Sequence, residues 1–273
     1  MNPKVIAFIG GGNMASSMIG GVLARGWDGT HIWVSDPVAE CRERLAELGV
    51  HTTADNRAAC AAADVIVLAV KPQQMRQVCE NIASQVQARG ALVISIAAGI
   101  ETASLRTWLG GVPLVRCMPN TPALLRCGAT ALYATEGVGQ AAQQVAHEIL
   151  QSIGTVAWVD REELLHGVTA LSGSGPAYFF LMMEAMQQAG EKLGLDAELS
   201  RALTAQTALG AARMALESGL DVIELRRRVT SPGGTTERAV GVLEQRDLRQ
   251  TLDEALAAAA ARSRELAEEL GRD

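Results

Sequence analysis

The apolar run KVIAFI (4–9) passes through three consecutive glycines, Gly10, Gly11 and Gly12, into NMASSMIGGVLARG (13–26), a stretch with helical spacing that stops at Gly26. A buried strand that turns through glycine into a helix constrains the fold more than any other feature of this chain. The same alternation then repeats. HIWVS (31–35) reads as a strand and VAECRERLAELG (38–49) as a helix, followed by the strand DVIVLAV (64–70) and the helix KPQQMRQVCENIASQV (71–86). ALVISIAA (91–98), VPLVRCMP (112–119) and ATALYAT (129–135) read as further strands. Strands that alternate with helices at this spacing predict a parallel, doubly wound α/β sheet with helices on both faces.

The glycine turn carries a chemical reading. Gly10-x-Gly12-x-x-Ala15 has the form G-x-G-x-x-A. Gly10 permits the tight turn, Gly12 lets backbone approach a pyrophosphate, and Ala15 allows close helix–sheet contact, while the helix N-terminus offers amide N–H groups to an anion. The strand before the turn and the helix after it are the context that a dinucleotide fingerprint requires. Asp36 follows the second strand, where a carboxylate can bond the ribose 2′-hydroxyl of NAD and would repel the 2′-phosphate of NADP. Arg42 and Arg57 stand in neighbouring turns and can neutralise such a phosphate, and Asp36 has the alternative role of capping the helix that starts at Pro37.

After TVAWVD (155–160) strand signals cease. EELLHGVTAL (162–171), PAYFFLMMEAMQQAGEKLG (176–194), AELSRALTAQTALGAARMALES (197–218) and LRQTLDEALAAAAARSRELAEEL (248–270) all read as helices. The expected division is therefore a dinucleotide-binding domain over 1–160 and an all-α domain over 161–273. The helices are rich in alanine and carry few charged faces, which predicts an apolar face covered by a second subunit, the alternative being packing against the nucleotide domain. One turn interrupts the helices: VTSPGGTTERAV (229–240), where Pro-Gly-Gly leads into a fresh helix start.

Composition excludes several classes. A formal net charge of −6 and an aromatic content of 3% argue against a nucleic-acid surface. Five cysteines without C-x-x-C spacing read as reduced thiols, with neither disulfides nor a metal site expected. MNPKVIAFIG lacks the apolar core of a signal peptide and no apolar run is long enough to span a bilayer, so a cytoplasmic protein without membrane contact is expected.

The catalytic inventory is sparse. Neither Tyr133 nor Tyr178 is followed by lysine at the fourth position, and no histidine supports Cys117 or Cys127. His166 is the one candidate general acid, its other reading being a structural histidine. Lys71 ends a predicted strand at the carboxyl edge where ligands bind in such sheets, its other reading being a solvated loop lysine. A chain able to deliver hydride but poor in proton donors suits an already protonated acceptor, such as an iminium, better than a ketone.

Six blocks together resemble the pyrroline-5-carboxylate reductase family over essentially the full length: FIGGGNMA (8–15), AVKPQ (69–73), SIAAGI (95–100), RCMPNTPALL (116–125), LSGSGPAYFF (171–180) and ELRRRVTSPGGTTERAVGVLE (224–244). The resemblance implies reduction of L-1-pyrroline-5-carboxylate to L-proline, the last step of proline biosynthesis, on a Rossmann domain joined to a helical domain that pairs subunits into a homodimer or a ring of dimers. It implies cofactor contacts at Gly10, Gly11, Gly12, Asn13, Met14, Asp36, Asn56, Ala69, Val70, Lys71, Pro72, Ala97 and Ala98. NADPH is the first expectation and NADH the alternative, because Asp36 stands where some members have serine. It further implies a substrate site at Ser231, Gly233, Gly234, Thr235 and Thr236, with amides around the glycines holding the carboxylate and Thr236 bonding the ring nitrogen as the catalytic contact. Without the resemblance, that turn reads as an ordinary capped helix start. The rival readings are a hydroxyacid dehydrogenase of similar layout and a non-catalytic NAD(P)-binding protein. The dehydrogenase uses a lysine early in its helical domain, whereas Lys192 is the only lysine here beyond Lys71.

Overall fold

The computed structural model describes residues 4–271. Strand β1 (Ile6–Ile9) leads into helix α1 (Asn13–Ala24), and the alternation continues with β2 (Ile32–Ser35), α2 (Ala39–Ala46), β3 (His51–Thr53), α3 (Asn56–Ala62), β4 (Val65–Leu68), α4 (Pro72–Arg89), β5 (Leu92–Ser95) and α5 (Thr102–Leu109). Then come β6 (Leu114–Met118), β7 (Gly128–Ala134), α6 (Gln140–Gln151), β8 (Gly154–Trp158) and the short α7 (Leu164–Val168), which runs into a π-helical turn, Thr169–Gly173. The remaining elements are helices: α8 (Gly175–Lys192), α9 (Ala197–Glu217), α10 (Val222–Arg228), α11 (Thr235–Gln245) and α12 (Leu248–Gly271).

The strands form one sheet in the order β3-β2-β1-β4-β5-β6-β7-β8. Its strands β1 and β4 are apolar at every position because both faces are covered. Ile6, Phe8, Val65 and Val67 join the core under α1 and α6, whereas Ala7, Ile9, Ile66 and Leu68 join the core under α4 and α5. The two cores leave no room for a solvated face, and this two-sided burial is what the continuous β-branched runs encode.

Two details depart from the sequence expectation. The strand β3 has no counterpart in it: three half-polar residues on the sheet edge carry no apolar run, and their pairing rests on the register Trp33↔His51, whose rings stack with centroids 4.8 Å apart. The sheet is also not parallel throughout. β7 pairs antiparallel with β6. A parallel return needs a crossover of a dozen or more residues, but residues 119–127 hold only a 3₁₀ turn, Thr121–Leu125, with Pro119 before it and Pro122 within it. The chain doubles back instead, and α6 then supplies the crossover that makes β7 and β8 parallel.

The chain forms two compact units, one reaching Ser174 and resuming at Ala258, the other Gly175–Ala257. The last strand ends at Trp158, so the first unit includes α7 and the final part of α12. The second unit is purely helical. Its α9 starts at an Asp196 cap that accepts the Leu199 N–H at 2.8 Å, and α8 packs along it where Gly190 lies against Ser200. Large apolar side chains stand exposed on this unit, Phe180 at 64% and Leu216 at 83% among them. Among the described residues no helix is long and apolar enough to cross a membrane.

Phe8 is the largest wholly buried side chain, set in the central strand. Phe8→Ala is expected to lower unfolding free energy by about 3–5 kcal/mol, read as a fall in the urea midpoint; an unchanged midpoint contradicts this placement.

Candidate active site

The turn after β1 is fixed by contact with the end of its sheet neighbour β4. Gly10 has φ +102°, and a Cβ on it would lie 2.6 Å from the Ala69 carbonyl oxygen. No side chain is tolerated there, and the Gly10 N–H donates to the Ser35 carbonyl at 2.8 Å. Gly12 stands at the N-cap of α1, and a Cβ built on it meets nothing within 4 Å. This bare, outward backbone ahead of a helix N-terminus is the cradle that a pyrophosphate requires. A dinucleotide therefore fits the residues present.

Asp36 is buried and committed to the turn. One carboxylate oxygen accepts the Gly11 N–H at 2.7 Å and the other accepts the Val38 N–H at 2.8 Å. It is not the helix cap, since α2 begins at Ala39 behind Val38. Arg42 donates to the carbonyls of Asp36 and Pro37, and Arg44 leans toward Ser16. Asn56, at the first turn of α3, accepts the Ser35 hydroxyl at 2.6 Å. Lys71 is exposed at the N-cap of α4, with Pro72 opening the helix. Ala97 is buried and Ala98 exposed on the turn that follows β5. These residues follow the carboxyl ends of β1 to β5, which are consecutive neighbours in the sheet, so the expected cofactor contacts line one continuous edge.

The second unit presents the other expected cluster. Gly234 is the N-cap of α11, with Thr235 and Thr236 opening the helix. Two amides of this turn already have partners: the Gly233 N–H donates to the Glu237 carboxylate at 2.8 Å and the Gly234 N–H to the Ser231 carbonyl at 3.0 Å. The first donor to reach back within the helix is Arg238, bonding the Gly234 carbonyl. The N–H groups of Thr235 and Thr236 precede it and belong to the orphan donors of a helix start.

His166 is only 4% exposed. Its Nδ1 lies 2.9 Å from the Ser263 hydroxyl, and its Nε2 is 3.7 Å from Glu101. Burial, with Arg116 nearby, pushes its pKa below the usual imidazole value. Beside it lies a cluster that sequence reading missed. Arg116, buried on β6, pairs with Glu162 at 2.6 Å, and Glu162 accepts both the N–H and the hydroxyl of Thr102. The signal was an arginine inside the apolar run VPLVRCMP, a position that demands a buried partner. The three buried thiols are unsuited to nucleophilic work, because burial pushes Cys60 and Cys79 up to about 12 and raises Cys117 as well.

The chain is similar to known proteins over nearly its full length. Residues 162–266 match the family described as pyrroline-5-carboxylate reductase dimerisation, and residues 5–99 match NADP oxidoreductase coenzyme F420-dependent. A pyrroline-5-carboxylate reductase of Pseudomonas aeruginosa is 52% identical over 99% of this chain and 100% of its own length. The chain belongs to the pyrroline-5-carboxylate reductase family. The Haemophilus influenzae reductase is 44% identical over 97% of the chain and 98% of its own length. Among solved structures, the Coxiella burnetii pyrroline-5-carboxylate reductase superimposes with a TM-score of 0.94 at 48% identity, covering 97% of this chain and 99% of that one. A Plasmodium falciparum pyrroline carboxylate reductase with NADP bound gives 0.85 at 28% identity, covering 98% and 99%. This chain is thus an oxidoreductase with a Rossmann-type first unit and a helical region of the reductase dimerisation type.

The buried His166 has a consequence for stability in this reductase. Its folded pKa is lowered, so below the ordinary imidazole pKa of about 6.5 the unfolded chain binds a proton that the folded chain refuses. Stability is expected to fall as pH drops below that value, and His166→Gln is expected to flatten the slope. Parallel thermal-melt midpoints for both proteins across pH 5–8 would refute the placement.

Proposed function

We propose that this chain reduces L-1-pyrroline-5-carboxylate to L-proline with NADPH, the observation that carries the reading being a chain of the pyrroline-5-carboxylate reductase family that has both a bare glycine cradle at the head of α1 in its first unit and a turn of amide and hydroxyl donors at the head of α11 in its second. Gly10 to Met14 hold the pyrophosphate, and Asp36, Asn56, Ala69, Val70, Lys71, Pro72, Ala97 and Ala98 hold the rest of the cofactor along the strand ends. When bound, the nicotinamide supplies the hydride. The chain's own task is to hold the carboxylate of the ring and leave its C=N carbon open to attack.

The turn of Ser231, Gly233, Gly234, Thr235 and Thr236 holds the substrate carboxylate. Because Gly233 and Gly234 already donate within the turn, the N–H groups of Thr235 and Thr236 are the donors available to the anion. Thr236 accepts the ring N–H of the iminium, which arrives protonated; no strong acid is then needed as the nitrogen becomes an amine. This matches a chain whose buried histidine faces a serine and has its pKa lowered by burial.

NADPH is favoured over NADH because the Asp36 carboxylate is engaged by the Gly11 N–H of the glycine loop and the Val38 N–H of its own turn, while Arg42 sits at the same strand end. The match to an NADP oxidoreductase family supports the same choice. An Asp36 carboxylate that still reached the ribose would favour NADH, and kcat/KM for the two cofactors separates the readings. The exposed apolar faces of the helical unit support a homodimer, and rings of dimers extend the same surface. The protein works in the cytoplasm.

The test is the loss of nicotinamide absorbance when pyrroline-5-carboxylate and NADPH are mixed with the protein, with one proline formed per NADPH consumed. Oxidation driven by hydroxyacid-type keto substrates instead, or by none, sinks the reading. Thr236→Ala is expected to lower kcat by about 10- to 100-fold with NADPH affinity unchanged; full turnover removes Thr236 from its role.

A further inference from the structure

The turn from Ala97 to Ile100 leaves the sheet edge and enters α5, and α5 has no cap of its own. Glu101 occupies the N-cap position without making a side-chain cap bond. The cap comes from 60 residues away: Glu162 accepts the Thr102 N–H at 2.8 Å through Oε1 and the Thr102 hydroxyl through Oε2. The same Oε1 is paired with the buried Arg116 of β6 at 2.6 Å. One helical turn beyond Glu162, His166 stands beside Glu101 and faces Ser263 of α12.

A second grip comes from the apolar side of α12. Gly99 has φ +73°, and a Cβ on it would lie 3.0 Å from Leu270 Cδ1 and 3.6 Å from Leu266 Cβ. The segment 97–102 is thus held by the chain just before residues 175–257 and by the chain just after them. Ala97 and Ala98 have only methyl side chains, so the place of this turn is set by whatever holds its backbone. A buried ion pair does little for net stability, whereas its geometry is narrowly defined.

We propose that Glu162, with His166 and Ser263 behind it, positions the Ala97–Ala98 turn for the cofactor, so that the two strokes of chain flanking residues 175–257 set NADPH affinity. The proposal rests on the reading that this turn contacts the cofactor. Glu162 and His166 are positioning residues and touch neither reactant.

The experiment is NADPH binding by calorimetry to full-length variants, with steady-state kinetics alongside. Thr102→Val keeps the shape and loses the hydroxyl bonded to Glu162, whereas Thr102→Ser keeps that hydroxyl. Expected are a dissociation constant raised about fivefold in Thr102→Val and about tenfold or more in Glu162→Gln, with Thr102→Ser within about twofold of the parent. The kcat at saturating NADPH and the KM for pyrroline-5-carboxylate are expected to move less than these dissociation constants. Folded Thr102→Val and Glu162→Gln proteins that melt earlier yet bind NADPH as the parent does would overturn the proposal, and the Thr102 pair decides alone if Glu162→Gln fails to fold. Ala98→Trp, at an exposed position, separates the two readings. If it weakens NADPH while the Thr102 and Glu162 variants do not, the positioning role falls alone; if it leaves affinity unchanged, the cofactor reading of the turn falls as well.

Discussion

Burial of the sheet on both faces is the constraint from which the rest follows. Ile6 and Phe8 look into one core while Ala7 and Ile9 look into the other, and β4 repeats the arrangement. Helical crossovers join β1 to β5 as parallel neighbours, so their ends all emerge along one edge. At that edge β1 and β4 come close enough that the Ala69 carbonyl excludes any side chain at Gly10. The glycine loop is thus a packing solution first, and its open backbone at Gly12 is the by-product that a pyrophosphate can use.

Charge is handled differently in the two units. In the first, ionisable groups that lie near the core are engaged: Asp36 by two backbone N–H groups, Arg116 by Glu162, and His166 by Ser263. In the second, the α11 turn offers amides and hydroxyls without a cation, and its own Glu237 already satisfies Gly233. Amide and hydroxyl donors bind a carboxylate through directed hydrogen bonds, which also orient it.

Elements with a long apolar period were legible in the sequence. The glycine turn, β4, β5 and the helices α8, α9 and α12 all follow from runs whose period leaves one reading. β3 was not, because an edge strand of three residues, HTT, is held by pairing and by the Trp33–His51 stack instead of by its own composition. The turning back of β7 was hidden for another reason: strand direction depends on whether the intervening chain can build a crossover, and residues 119–127 cannot. The candidate site divides the same way. Gly10 and Gly12 announce themselves by spacing, whereas the pairing of Arg116 with Glu162 and the cap on α5 join residues 46 and 60 apart and have no local pattern. Asp36 was visible as a residue, but its orientation into the loop depends on where Gly11 and Val38 place their N–H groups.

The measurement closest to the central claim is amide hydrogen exchange with and without NADPH. The account requires slowed exchange in residues 10–14, 69–72 and 97–99, the turns at the ends of β1, β4 and β5. Protection that appears elsewhere while those three turns exchange at their free rate would contradict a cofactor seated on this edge of the sheet.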